Sequence, residues 1–193
     1  MLAKSKLSHS LKEWAIAISA LSQGQTIMLL RKGGIREPKN RFALLHSFAW
    51  LYPTYEHQKP ELLKPQYAQL VKEVPSGWHP ETIEIQTFVE ITHSFEIEQL
   101  ATVAQLKPYY IWQESTIATR FKWKPKQPLS VLLLRASNLL EPVEIPYDNS
   151  YGGCKSWIEL RQPITTEGLV PVLSEKEYQQ QVAQISQIVA ETE

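Results

Sequence analysis

A chain of 193 residues with 43% hydrophobic and 21% charged side chains has the composition of an ordinary folded domain, which excludes fibrous and disordered classes. Its formal net charge of zero argues against a uniformly basic nucleic-acid coat, and a single cysteine, Cys154, excludes an intrachain disulfide framework and a Cys-rich zinc cluster. The free thiol points to a reducing cytoplasm; the longest apolar runs fall far short of the ~20 residues that span a bilayer, and no signal-type apolar region follows Lys4 and Lys6.

Ser8 or Ser10 can cap a helix running to about Leu21, because Leu11, Trp14, Ala15, Ile18 and Leu21 recur at helical spacing. Gly24 ends it, and "QTIMLLRKGG" then reads as a short buried strand stopped by the Gly33-Gly34 pair. Residues 42 to 52 read as a second strand leading into the turn "PTYEHQ". In "KPELLKPQYAQLVKEV" Leu62, Leu63, Tyr67, Leu70 and Val71 predict a helix of two to three turns, with Pro65 in the first turn where it is tolerated. From Thr82 to Ile97 apolar residues alternate with polar ones, the clearest strand in the chain. A short helix over 98–106 follows, closed by Pro108, then an edge segment and one helix ending before Pro125. "LSVLLLRASNLL" has the continuous apolarity of a buried central strand, and "EPVEIP" continues it as a bend or edge piece. "CKSWIELRQ" alternates again, and Ser174 caps a Gln-rich helix over 174–193 whose stripe is Tyr178, Val182, Ile185 and Val189, a face for the body of the protein or for a protein partner. Strands with helices between them but no βαβ rhythm predict an α+β fold, a single domain over 1–173 with a small mixed β-barrel at its centre, flanking helices and a C-terminal helix.

Charge is segregated along the chain. Residues 1–60 hold nine Lys/Arg against three Asp/Glu and residues 107–135 six against one, while the other two blocks are acidic. If the basic blocks meet in space they make a positive face suited to a polyanion; if the blocks interleave they neutralise one another.

Three stretches combine residue types that carry chemistry. "RKGG" offers Arg31 and Lys32, with Arg36 nearby, for phosphate contacts beside glycines that permit close backbone approach, though it lacks the ends of a P-loop and reads equally as a basic hairpin turn. "LYPTYEHQ" offers Tyr55 for stacking, and Glu56 and His57 as an acid/base pair, with His46 a third candidate. Adjacent Glu56 and His57 would point to opposite faces of a strand, so no metal and no cofactor are expected there. "YYIWQESTIATRFKWKPK" interleaves Tyr109 and Trp112 with Arg120, Lys122 and Lys124, stacking rings beside phosphate-neutralising cations; the same rings would also serve as core anchors. Cys154 lacks a paired base and reads as a structural thiol, and the single aspartate, Asp148, counts against two-metal phosphodiester chemistry.

The stretches "LKEWAIAISAL", "MLLRKGGI", "LYPTYEHQ", "YIWQE", "PLSVLLLRASNL" and "YGGCKSWIEL" together resemble a bacterial family known as the domain of unknown function number eighteen-oh-two, over about residues 10 to 160, with the helix from 174 outside. That resemblance implies a place in restriction or nucleic-acid metabolism, since members occur with restriction-endonuclease-type domains. "VEITHSFEI" and "RFKWKPKQPLSVLLLRASNLLEPVEI" are similar in strand order to the PUA-like barrels of the ASCH and EVE group, many of which bind RNA or modified bases. Together these readings make nucleic-acid binding, with a modified or flipped base as the recognised element, the expected function; a nucleotide- or nucleic-acid-processing enzyme using His46, Glu56 and His57 is the alternative, and a protein-interaction module working through the last helix a third.

Overall fold

The computed structural model describes residues 5–32, 43–125 and 127–192. Arg36 and the Gly33-Gly34 pair lie outside the described residues. The elements in chain order are β1 (Lys6–Trp14), α1 (Ala15–Ser22), β2 (Met28–Arg31), β3 (Phe48–Thr54), α2 (Pro65–Ala68), β4 (Thr82–Ile97), α3 (Leu100–Gln105), α4 (Glu114–Lys122), β5 (Leu129–Pro146), β6 (Trp157–Thr165), β7 (Val170–Pro171) and α5 (Glu175–Thr192). The fold is α+β, as composition and patterning predict.

One mixed sheet runs in the order β2-β5-β4-β3-β1-β6, with β7 on β5; β1 and β3 are parallel and the other pairs antiparallel. Among the described residues no ladder joins β2 to β6, so the sheet is open rather than closed into the expected small barrel. β5 lies between β2 and β4, and Val131, Leu132, Leu133 and Leu134 are all fully buried, which is why this strand reads as an unbroken apolar run.

β4 solves a problem its sequence poses. Ile83, Ile85, Val89 and Ile91 share one parity, yet Ile83 and Ile85 lie in a smaller core with Trp50, Phe88 and Leu160, while Val89 and Ile91 lie in the larger core with the helices. A register shift between Ile85 and Thr87 rotates the strand between the two. The sheet is thereby packed on both faces.

The structure corrects the first predicted helix: residues 6–14 are a strand, and only Ala15–Ser22 is helical. Leu11 and Trp14 fit a helical stripe by spacing, but pairing on both sides, to β3 and β6, satisfies the backbone of β1 as a helix could not and buries Ser10 and Leu11. The helix expected around 62–71 shrinks to a 3-10 turn over Pro60–Leu62 and the single turn of α2, with Leu70 exposed. The last helix follows its sequence closely. Ser174 Oγ accepts from the Glu177 N–H and donates to the Glu177 carboxylate, a reciprocal cap, and Tyr178, Val182, Ile185 and Val189 pack into the larger core. No helix among the described residues is long and apolar enough to cross a membrane.

Candidate functional site

Because β1 and β3 run parallel, both deliver their C-terminal residues to the same end of the sheet, with Lys12, Glu13 and Trp14 in register with Tyr52, Pro53 and Thr54. The chain leaves β3 as the turn Tyr55-Glu56-His57, and residues 77–80 and 147–155 close over the same end. Between them lies a cleft of about 430 Å³, within the range of small-ligand sites.

The floor is charged. Glu13, 8% exposed, pairs with the Arg31 guanidinium at 3.1 Å, and Arg31 also donates to the Lys12 carbonyl. Arg120 lies near both, its guanidinium 5.5 Å from the Trp112 ring centre; burial draws its pKa down, Glu13 opposes that, and Arg31 adds to it. Lys12 donates from Nζ to the carbonyls of Tyr151 (2.6 Å) and Gly153 (2.9 Å), tying the 147–155 lip to β1, and burial lowers its pKa. With Lys155 at the rim, the cleft holds four cationic side chains against the carboxylates of Glu13 and Glu56. Lys12 and Arg31 come from one basic block of the sequence and Arg120 from the other, so the two blocks meet here.

The walls are aromatic. Tyr55 and Trp78 meet edge to face at 5.8 Å, Tyr52 and Tyr151 do so at 5.4 Å, and His79 stacks on Tyr147 at 3.4 Å. Burial pushes the hydroxyls of Tyr52 and Tyr55 up, so both stay neutral hydrogen-bonding groups. Gln58 fixes the turn: its side chain, 5% exposed, accepts from the Ile16 N–H at 2.9 Å and donates to the Tyr55 carbonyl at 3.3 Å. It thereby caps α1, whose own N-cap residue Trp14 makes no side-chain cap bond.

Glu56 and His57 do come together. His57 adopts a left-handed φ of 64°, turning the chain so that its Nε2 stands 3.8 Å from Glu56 Oε1, where an extended strand would have separated them. Glu56 also accepts from the Gly77 N–H and, at 3.0 Å, from the Ser76 hydroxyl; these bonds hold its pKa below the ordinary carboxylate value.

Of the residues singled out in the sequence, Arg31, Tyr55, Glu56, His57 and Arg120 line the cleft. Trp112 is buried beneath it against Trp14, an anchor rather than an open stacking face. Lys32 donates to the Phe121 carbonyl, Tyr109 donates to Gln184 of α5 at 3.3 Å, Lys122 is exposed on α4, and the Lys124 ammonium stands 4.4 Å from the Trp123 ring centre; all four lie outside the cleft. His46 is elsewhere too, stacked on His9. The apolar stripe of α5 is turned onto the body. Sequence reasoning missed Lys12, Trp78, His79, Tyr147, Tyr151 and Lys155, which the topology gathers from three separate segments; the one local signal was aromatic residues beside prolines or glycines in "SGWHP" and "YDNSYGG".

The sequence matches the family described as "Domain of unknown function (DUF1802)" over residues 10–184, so the match runs into α5, beyond the stretch in which the resemblance is visible by eye. No curated protein matches the chain. Similar solved structures include ASCH from Zymomonas mobilis, at 14% identity and a TM-score of 0.43 over 91% of this chain and 93% of that one. A serine-to-alanine mutant of the same protein aligns at 13% identity and a TM-score of 0.42 over 94% of this chain and 98% of that one.

Proposed function

The chain belongs to the DUF1802 family, and from that premise, which assigns no activity, we propose that it binds nucleic acid by seating one unpaired base, modified bases included, in the aromatic cleft. The observation that carries the reading is the lining: the partly or fully exposed rings of Tyr55, Trp78 and Tyr147 around a volume of about 430 Å³ over a cationic floor. A base needs π-faces and a phosphate needs positive charge, and the cleft offers both. Trp78 and Lys155 are exposed at the mouth, where an incoming strand meets them first. Arg31 and Arg120 act from below, setting the potential of the floor while bound within the fold. The exposed free thiol of Cys154 at the same rim suits a reducing compartment.

The test is binding of labelled single- and double-stranded RNA and DNA, with and without modified bases, at two salt concentrations. Single strands bind better, affinity falls as salt rises, and Lys155→Ala flattens the log–log salt slope by about 0.7. Absence of binding to every probe, or binding indifferent to salt, refutes the proposal.

A specific observation favours a second reading, a nucleotide- or nucleic-acid-processing enzyme. The strained turn at His57 places an imidazole and a carboxylate 3.8 Å apart at the cleft. Under that reading His57→Ala abolishes turnover and leaves binding intact.

A further inference from the structure

On the outer edge of the sheet, outside the lining of the aromatic cleft, three ligand-type side chains converge from three segments. His9 in β1 is the register partner of Glu159 in β6, and His9 Nδ1 lies 2.5 Å from Glu159 Oε1. The His46 ring stacks on that of His9, with centroids 3.7 Å apart and planes within 9°.

The surroundings hold this cluster in place. The β1/β6 ladder shifts register between Leu7 and His9. Consecutive residues of a regular strand point to opposite faces, yet here Ser8 and His9 both engage one carboxylate: Ser8 donates to Glu159 Oε2 at 2.5 Å. The segment carrying His46 is tied down at both ends, since the Trp157 indole N–H donates to the Ala43 carbonyl at 2.9 Å and the Ile91 N–H to the Ser47 carbonyl at 2.8 Å. The Trp157 ring also meets His46 edge-on at 5.3 Å.

We propose that His9, His46 and Glu159 form a binding site for a borderline divalent transition metal, Zn²⁺ by the chemistry of the donors. Two imidazoles and one carboxylate are the ligand types Zn²⁺ takes, whereas Mg²⁺ and Ca²⁺ demand oxygen. The three donor atoms lie within 4.8 Å of one another; neighbouring ligands of a tetrahedral Zn²⁺ stand about 3.4 Å apart at bond lengths of ~2.1 Å. Modest side-chain rotations convert one arrangement into the other: the parallel imidazoles splay, and His9 and Glu159 part by about 1 Å as the metal replaces the proton between them. Ser8 becomes the outer partner that orients the Glu159 carboxylate.

Three protein ligands leave a coordination position open. His46 and Glu159 border a groove of about 640 Å³ that also presents Ser150, Lys155 and Arg161, so the position faces two cations and accepts an anionic oxygen ligand such as phosphate or a carboxylate. Arg161 is held by Asp148 at 3.0 Å and so keeps its place on the groove wall.

The test uses the full chain without an affinity tag, stripped with chelator, and titrated with ZnCl₂ or MgCl₂ by calorimetry, with elemental analysis for stoichiometry. Expected are one Zn²⁺ per chain, no Mg²⁺ uptake, loss of stoichiometric uptake in His9→Ala and in His46→Gln, and retention in Cys154→Ser. Ser8→Ala weakens binding about tenfold. His46→Gln keeps the side-chain volume in a segment outside the strands, and an unchanged circular dichroism spectrum shows that it folds. Substoichiometric uptake by the wild type overturns the proposal, as does uptake that survives His46→Gln in the folded protein.

Discussion

Replacing Trp78 by alanine separates recognition from stability. Its side chain is 43% exposed and its ring contact is the edge-to-face meeting with Tyr55 at 5.8 Å, an arrangement worth about 0.5–1.5 kcal/mol to folding. At ~2–4 °C per kcal/mol for a chain of this size, loss of that ring contact lowers Tm by about 6 °C at most, and the apolar area the ring buries adds to the fall. A base stacked on the same ring contributes ~1–3 kcal/mol, so the Kd for a single strand rises about 5- to 150-fold. Fluorescence anisotropy with a labelled oligonucleotide at low salt reads the second effect, and differential scanning fluorimetry the first. Trp123 supplies the matched control: it is 47% exposed but lies at the C-terminal end of α4, outside the cleft, so Trp123→Ala leaves affinity within about twofold. Affinity unchanged in Trp78→Ala refutes base capture in the cleft. Loss in Trp123→Ala alone relocates binding to the basic-aromatic segment around Lys122 and Lys124.

Gln58→Ala leaves the Ile16 N–H buried without its acceptor and costs about 1–3 kcal/mol, read as a lower urea midpoint. Glu13→Ala removes the carboxylate facing Arg31 and Arg120 and costs about 3 kcal/mol or more, so it unfolds at markedly lower urea than Glu13→Gln, which retains an acceptor for the Trp14 N–H. Asp148 is held well below the usual carboxylate range, chiefly by Arg161 and then by Ser150. A carboxyl with a depressed folded-state pKa contributes stability above its unfolded value of ~4 and loses it as pH falls below that, so Asp148→Asn flattens the Tm profile on the acid side while changing the slope near neutrality little.

The elements most legible in the sequence are those whose burial follows one local rule. β4 coincides with the alternating run over 82–97, β5 with the continuous apolar run, and α5 with its cap and stripe. β1 was hidden because its stability comes from partners some 40 and 150 residues away, Trp50 and Glu159 among them, while its own residues scan at helical spacing. In "LYPTYEHQ" the turn and the aromatic lining are readable. The pairing of Glu56 with His57 is not, because it depends on a left-handed backbone at a non-glycine residue that composition does not announce. Arg31 and Lys32 look like free phosphate ligands in one dimension; in three, Arg31 serves a buried carboxylate and Lys32 a backbone carbonyl. Cations near glycines declare their type but not their partner.

β1 lies between β3 and β6, and Lys6 pairs with Thr165 across nearly the whole chain. During synthesis the residues of β1 emerge long before those of β6 and wait with one edge bare, because their last neighbour is made some 150 positions later. Loop closure of that span precedes any reward from the ladder, which makes this step slow and late in folding. Lys12 reaches the carbonyls of Tyr151 and Gly153 from the same strand, so the cleft itself is completed only then. A ribosome-bound chain halted before residue 157 therefore carries the rings of β3 and the charges of β1 but no finished pocket, and whatever the pocket holds can engage the protein only once β6 is in place.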